Sequence, residues 1–549
     1  MGCNVIFHSR RLFSLFIPLF VGVCSSPPTY AGGDATCALT IELVDADDSA
    51  TLPGLIRLST DDGARIPISG LPPRGLGVRA SAPVHDWFVI IKRSVVQVKQ
   101  RPLLLEAVHG LTTELGRVRL DLRGKSAATA RVRLRRFHKD DRYRSANTHV
   151  HLKDITRTEA ENYLRDIPRG DDLDIVFVSN LARIHADKTY ISNEFTREDF
   201  RRLSLSGTLF GNGEEHRHNF SGYEGYGHVM FLDIKKLILP VSIGPAIMNS
   251  GTDGTPLRRG IDTARHDGAT VIWCHGKKGI EDLPNVVAGR LHAQNIYDSG
   301  GISGSYSDTF YRYLNVGIPM PFSTGTDWFI FDFARAYARI EGDHTVQNWL
   351  RALRSGRSYI TNGPLLHFTV DGHELGDIVH IDRPQQLRVV GHGVSRIDFR
   401  QLELIQNGEI IATSPARRVG AHFEAHLEQD VQMNHPAWLA LRTPVPPRYP
   451  LSASDASTPT NLFGRPLYSH TSPVYVRFQG HDFYDVPTGE NLLAEMILHR
   501  GYIADNFFFA DKVEREQVLR VHDTAISLFR ELHARERRRV RAQHRANDR

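Results

Sequence analysis

The sequence predicts a multidomain chain that is α/β at its centre and β on either side of it, closed by a helical tail. Three observations carry this. Over 35–142, short β-rich runs (LTIELVDAD, GLIRLST, WFVIIKRSVVQVK, LLLEAVHGL, GRVRLDL, ATARVRLRRF) are separated by Gly, Pro and Asp turns at about ten-residue intervals, the pattern of a β-sandwich. Over 145–366, apolar runs such as LDIVFVSN and ATVIWCHG end on or near metal-binding side chains, as expected where strand ends feed one cavity. From 488 onward, Val518, Val521, Ala525, Leu528, Phe529 and Leu532 recur at three- and four-residue steps, a helical stripe suited to packing on a neighbour. Length agrees, since 549 residues exceed the roughly 250–300 at which a single core stops growing.

Residues 1–31 read as a secretory signal peptide. Arg10 and Arg11 precede the apolar run LFSLFIPLFVGV, which is too short to span a bilayer, and Thr29-Tyr30-Ala31 offers a small-residue cleavage site. The mature protein is therefore expected to be secreted or periplasmic, without an integral span. Cys24 raises a lipoprotein anchor, which the bulky Val23 before it disfavours. Cys37 and Cys274 then remain, too far apart in sequence to indicate a disulfide.

The formal net charge is +5, and the segment from Arg535 to the end carries seven arginines against Glu536 and Asp548, which is +5 by itself. The body is balanced, which argues against a nucleic-acid partner, and the basic end reads as a solvated helix terminus. A second β region spans 367–480, and PVPPRYPLSASDASTPTN at 444–461 reads as a loop. No nucleophile elbow, P-loop or dinucleotide fingerprint occurs in strand-to-helix context, so serine hydrolase, NTPase and dehydrogenase chemistries lack support.

The metal candidates appear in order. His149 and His151 stand two apart in ANTHVHLKD, a spacing that puts both imidazoles on one face of a strand. Glu214, Glu215, His216 and His218 follow in NGEEHRHN, then His228 in YGHVMF, His275 in ATVIWCHG and Asp327 in FSTGTDW. Lys277 and Lys278 follow His275, where Lys277 is placed to stabilise an oxyanion or phosphate. His216 and His218 are read as ligands or general acid/base groups, and Arg183 and His185 are further polar candidates. Cys274 should face away from His275, into the core. Divalent ions are the expected cofactor, and mixed His and carboxylate ligation suits Zn, Mn or Fe.

The succession THVH, G-E-E with a downstream GH, a strand ending CHG, then STGTD and RSGRSYITNGPLL at 354–366 resembles the PHP (polymerase and histidinol phosphatase) superfamily of metallohydrolases. With FTVDGHELGD after it, and the ELIQNGEII and SHTSPVYV segments of the following region, it is similar to the carbaryl hydrolase-like CehA/McbA group. The resemblance implies a distorted (βα)7 TIM-like barrel over 145–366 and one to three ions per chain. His149, His151, Glu215, His228, His275 and Asp327 would be the ligands, Glu215 bridging and Glu214 its alternative. Two departures stand out. Asn180 occupies the place of an expected His in the second motif, and Trp328 follows the last Asp where the family has an Ala-His pair.

Two functions are carried forward. The first is a metal-dependent hydrolase that cleaves a phosphoester, or a carboxyl or carbamate ester or amide, of a small-molecule or glycan substrate, with a homo-oligomer open. The second is a catalytically weakened protein of the same fold that binds carbohydrate or a surface and keeps a structural metal.

Overall fold

The computed structural model describes residues 35–78, 82–182, 190–220, 223–248, 251–299 and 304–547. The signal segment, Arg183, His185 and the last two residues of the basic end lie outside them.

Alternation builds the N-terminal region. Ala127–Leu134 buries Ala130, Val132 and Leu134 and turns Arg131 and Arg133 outward, the period-two pattern of a half-buried strand. Thr36–Asp45 pairs antiparallel with Ser94–Lys99 and parallel with Ala127–Leu134. In a second sheet, Gly54–Ser59 pairs with Arg65–Ile66, Phe88–Ile90 and Pro102–Val108, and Gly116–Asp121 lies outside the last of these. Leu39, Ile41, Val96 and Val132 from the first sheet share one buried cluster with Ile56, Leu58, Leu103 and Leu105 from the second, so the two sheets are layers over a common core. The run WFVIIKRSVVQVK is two strands and not one: Phe88–Ile90 joins the second sheet and Ser94–Lys99 the first, because the chain changes layer between them.

In the central region, Tyr143–His151 pairs parallel with Ile175–Asn180, which pairs parallel with Leu209–Phe220. The last of these forms an antiparallel hairpin with Tyr223–Leu232, so strict strand–helix alternation breaks there. Thr270–Trp273 pairs antiparallel with the hairpin's second strand, and Ala293–Asn295 and Phe322–Ser323 follow in parallel. After three intervening residues, Asp327–Trp328 pairs parallel with Val150 and His151 of the first central strand. Helices lie in the connections, Arg157–Gly170 between the first two strands and Arg197–Ser204 before the third. Arg157–Gly170 starts at a capping box in which the Thr156 hydroxyl accepts from Glu159 N–H while the Glu159 carboxylate accepts from Thr156 N–H, and it buries Ala160, Tyr163, Leu164 and Ile167.

Hydrogen bonding continues past 366. Arg335–Arg339 pairs with both the first central strand and Ser358–Thr361, which in turn pairs with Ser469–Thr471 of the C-terminal β region. A separate four-stranded sheet runs Leu365–Val370, Gln385–Ser395, His422–Met433, Arg417–Val419. The tail is two helices, Val486–Asn506 and Lys512–Asn547. Val518, Val521, Ala525 and Phe529 are buried, as the stripe predicts, but Leu528 is 47 % exposed, and Leu519 and Ile526 are buried in addition. Phe507, Val518 and Leu519 pack with Tyr226 and Trp273, so the tail is seated on the central region. Among the described residues no helix is long and apolar enough to cross a membrane.

Candidate metal centre

Six of the sequence-predicted ligands converge. His149 and His151 leave the same face of Tyr143–His151, with their Nε2 atoms 3.1 Å apart. Glu215 comes from the neighbouring long strand, and its Oε2 lies 3.1 Å from His151 Nε2 and 3.9 Å from His149 Nε2. Asp327 Oδ1 completes this group at 3.5 Å from His149 Nε2 and 3.8 Å from His151 Nε2. The other oxygen of Glu215 faces a second group: Oε1 is 2.8 Å from His228 Nδ1 and 3.7 Å from His275 Nε2. Both groups, His149–His151–Glu215–Asp327 and Glu215–His228–His275, are compact enough to hold a metal ion.

Each imidazole has its outward nitrogen anchored. His149 Nδ1 and His275 Nδ1 each lie 3.0 Å from a different oxygen of Asp298, His151 Nδ1 is 2.8 Å from the Ser179 carbonyl, and His228 Nε2 is 2.9 Å from Asn219 Oδ1. Donating those protons leaves the lone pair of each remaining nitrogen aimed into the cluster, the arrangement that fixes tautomer and ring orientation at metal sites. Asp298 also accepts from the His275 backbone N–H at 3.0 Å and from Asn295 Nδ2 at 3.1 Å. The sequence reading missed Asp298. It follows a three-residue strand, Ala293–Asn295, too short to register as a periodic signal, although an acid just past a strand end was the available clue.

Backbone shape matters at two ligands. His275 and Asp327 both sit in the left-handed region, at φ 60° and 64°, a cost that recurs at functional sites. Gly325 is needed for the Asp327 turn: a Cβ there would lie 2.6 Å from His149 Cβ and 2.7 Å from His149 N.

The electrostatics follow from burial against charge. Burial opposes ionisation of Glu215, but Arg217, whose Nη1 is 3.6 Å from Oε2, together with His228 and His151, outweighs it and holds the carboxyl well below its usual range. At Asp327 burial wins over His149 and His275 and pushes the carboxyl up to about 6. Burial likewise opposes ionisation of Asp298, yet His275 and His149 hold it far below the ordinary carboxylate value. Asp327 is the ligand most open to solvent, with a side chain 13 % exposed. Beside it, Trp328 lies against His151 and carries Lys153 Nζ 4.6 Å above its ring.

The predicted catalytic residues are elsewhere. Glu214, His216 and His218 lie on the opposite face of their strand from Glu215. His216 Nδ1 is 2.8 Å from Glu214 Oε1, whose other oxygen accepts from Ile238 N–H, and the ring stacks on Phe231. His218 is 2.8 Å from Asp253 and stacks on Tyr226. They pack there and do not reach the cluster, because alternation turns them to the other face of the strand, beneath the neighbouring helix and tail. The Lys277 ammonium, expected at the site, pairs instead with Glu495 of the tail at 3.1 Å. Asn180 ends its strand in register with Glu214, and Cys274 is buried in the core as predicted. Cys37 and Cys274 are both buried.

Compared with protein-family models, with curated proteins and with solved structures, the chain matches none.

Proposed function

We propose that this chain is a secreted metal-dependent hydrolase of the PHP type, similar to the carbaryl hydrolase-like group, acting on a phosphoester or on a carboxyl or carbamate ester or amide. The observation that carries the reading is Glu215, one buried carboxylate with an oxygen in each of two ligand groups. A structural ion needs one closed set of ligands; a shared carboxylate between two sets is the donor arrangement of paired-ion hydrolytic sites. The imidazole and carboxylate donors fit Zn, Mn or Fe. Such ions would act there as Lewis acids and would bring the pKa of water toward about 7.

The protein's own groups do the rest. Asp298, the Ser179 carbonyl and Asn219 anchor the outer nitrogens of four imidazoles, which turns their inner nitrogens toward the two ligand groups. Arg217 places a buried positive charge beside Glu215, and Lys153 over Trp328 places another at the rim near Asp327, where an acyl or phosphoryl oxygen that gains negative charge is stabilised. The secreted location rests on the leader sequence. The test is metal content of the purified mature protein, with hydrolysis of aryl phosphates and aryl esters, against His149→Ala and Asp327→Ala. Joint loss of metal and turnover supports the reading. Metal without turnover in the wild type supports the binding-module alternative, and absence of metal refutes both.

A further inference from the structure

We infer that the four-stranded C-terminal sheet carries a second, separate cation site made by His392, Glu424 and His426, which takes a divalent transition ion of the Zn, Cu or Ni class. Three imidazoles stand in a cross-strand row there, because His367 is directly opposite His392 and His392 is directly opposite His426. Side chains at paired positions project from the same face. The His392 and His426 rings lie side by side at 4.3 Å between centroids and 16° between planes. Both present Nε2 toward one carboxylate oxygen: Glu424 Oε2 is 3.3 Å from His426 Nε2 and 3.9 Å from His392 Nε2. The three donor atoms all fall within 4.8 Å of one another.

The site shows the organisation expected of a ligand set. Glu424 is two residues from His426 on its strand, so alternation brings both to the same face. Its other oxygen, Oε1, is held 2.9 Å from His422 Nε2, while His422 Nδ1 is 3.1 Å from Glu114 and its ring stacks on Phe137 at 5.0 Å. That second layer orients the carboxylate and leaves Oε2 for a ligand. His392 Nε2 is a buried polar atom with no hydrogen-bond partner, the condition an ion relieves. Two imidazoles and one carboxylate oxygen leave open coordination positions, and the His426 side chain is 70 % exposed, so the ion would exchange freely with solution. Its effect would be to tie Gln385–Ser395 to His422–Met433 next to the contact with Glu114 of the N-terminal region.

The experiment uses full mature chain in a His149→Ala/Glu215→Ala/His275→Ala background, which breaks both central ligand groups so that they do not contribute, titrated with Cu2+ and followed by electron paramagnetic resonance and by equilibrium dialysis. The expected result is one equivalent bound with hyperfine structure from two nitrogens. Adding His392→Ala and His426→Ala should remove that equivalent while the far-UV circular dichroism is unchanged. In the otherwise wild-type protein the same two substitutions should lower total metal by one equivalent and leave any hydrolytic turnover intact. Stoichiometry unaffected by the two substitutions, or a signal without nitrogen coupling, overturns the inference whether or not the central site is catalytic.

Discussion

Asp298→Asn should release one identifiable imidazole from the central cluster. The carboxylate receives four N–H groups: His275 Nδ1 and the His275 backbone N–H at Oδ1, and His149 Nδ1 and Asn295 Nδ2 at Oδ2. An asparagine has one accepting oxygen and one donating amide. The backbone N–H of His275 cannot change its role, so the amide oxygen takes the Oδ1 side and the NH2 group faces His149. His149 must then switch tautomer, which moves its proton to Nε2 and removes the lone pair that faces Glu215 and Asp327. Loss of such a supporting contact costs about 10–100-fold in metal affinity, or roughly 1.4–2.7 kcal/mol. The assay is competition with a chromophoric chelator on metal-stripped protein, read beside histidine 15N chemical shifts. Wild-type affinity in a folded Asp298→Asn protein, or weaker binding without a His149 tautomer change, would refute the reasoning.

Three further outcomes follow from the same structure. Gly325→Ala forces a Cβ against His149 N at 2.7 Å; overpacking of this kind costs about 1–3 kcal/mol and should also weaken metal binding through Asp327, so urea unfolding and metal titration that both match wild type would count against it. Arg74 and Asp171 form a fully buried pair at 2.9 and 2.5 Å that joins the N-terminal region to the end of the Arg157–Gly170 helix. Arg74→Ala leaves Asp171 unpaired and should cost about 3–5 kcal/mol in urea unfolding, whereas Arg74→Met with Asp171→Leu should cost less. Glu281 is fully buried, and desolvation pushes its carboxyl up from 4.5 to about 7 against opposing hydrogen bonds from Arg258 N–H and Asn285. Because the folded value is raised, the protonated form is the stable one: this contribution is fully present below pH 4.5 and is lost as pH rises through about 7. At about 1.4 kcal/mol per pH unit the loss is roughly 3 kcal/mol, so Glu281→Gln should flatten the decline of stability between acid and neutral pH; an unchanged profile speaks against it.

Part of the site was legible residue by residue. His149 and His151 share a face because strand alternation is local, and both are in the cluster. The same rule groups Glu214 with His216 and His218, and Glu215 with Arg217 and Asn219, but it does not say which group faces inward. That choice depends on the hairpin with Tyr223–Leu232 and on the Leu257–His266 helix and tail packed over the other face, whose Gly260 lies directly against the His216 ring. Lys277 looked catalytic from its place after His275, and only the tail, more than two hundred residues later, supplies the Glu495 that pairs with it. Asp298 belongs to the same class, since its importance lies in joining His149 and His275, which no local pattern relates.

By itself, then, the sequence determined the chemistry of the donors, the shared face of His149 and His151 and most of the packing stripe of the tail, the last two set by periodicity within a few residues. The tertiary structure decided which face of the Leu209–Phe220 strand lines the cluster, that Glu215 divides its oxygens between two ligand groups, and that Asp298 locks two of the imidazoles. Those outcomes come from long-range packing, where burial and the need to pair every buried charge select one arrangement from several that the local pattern allows.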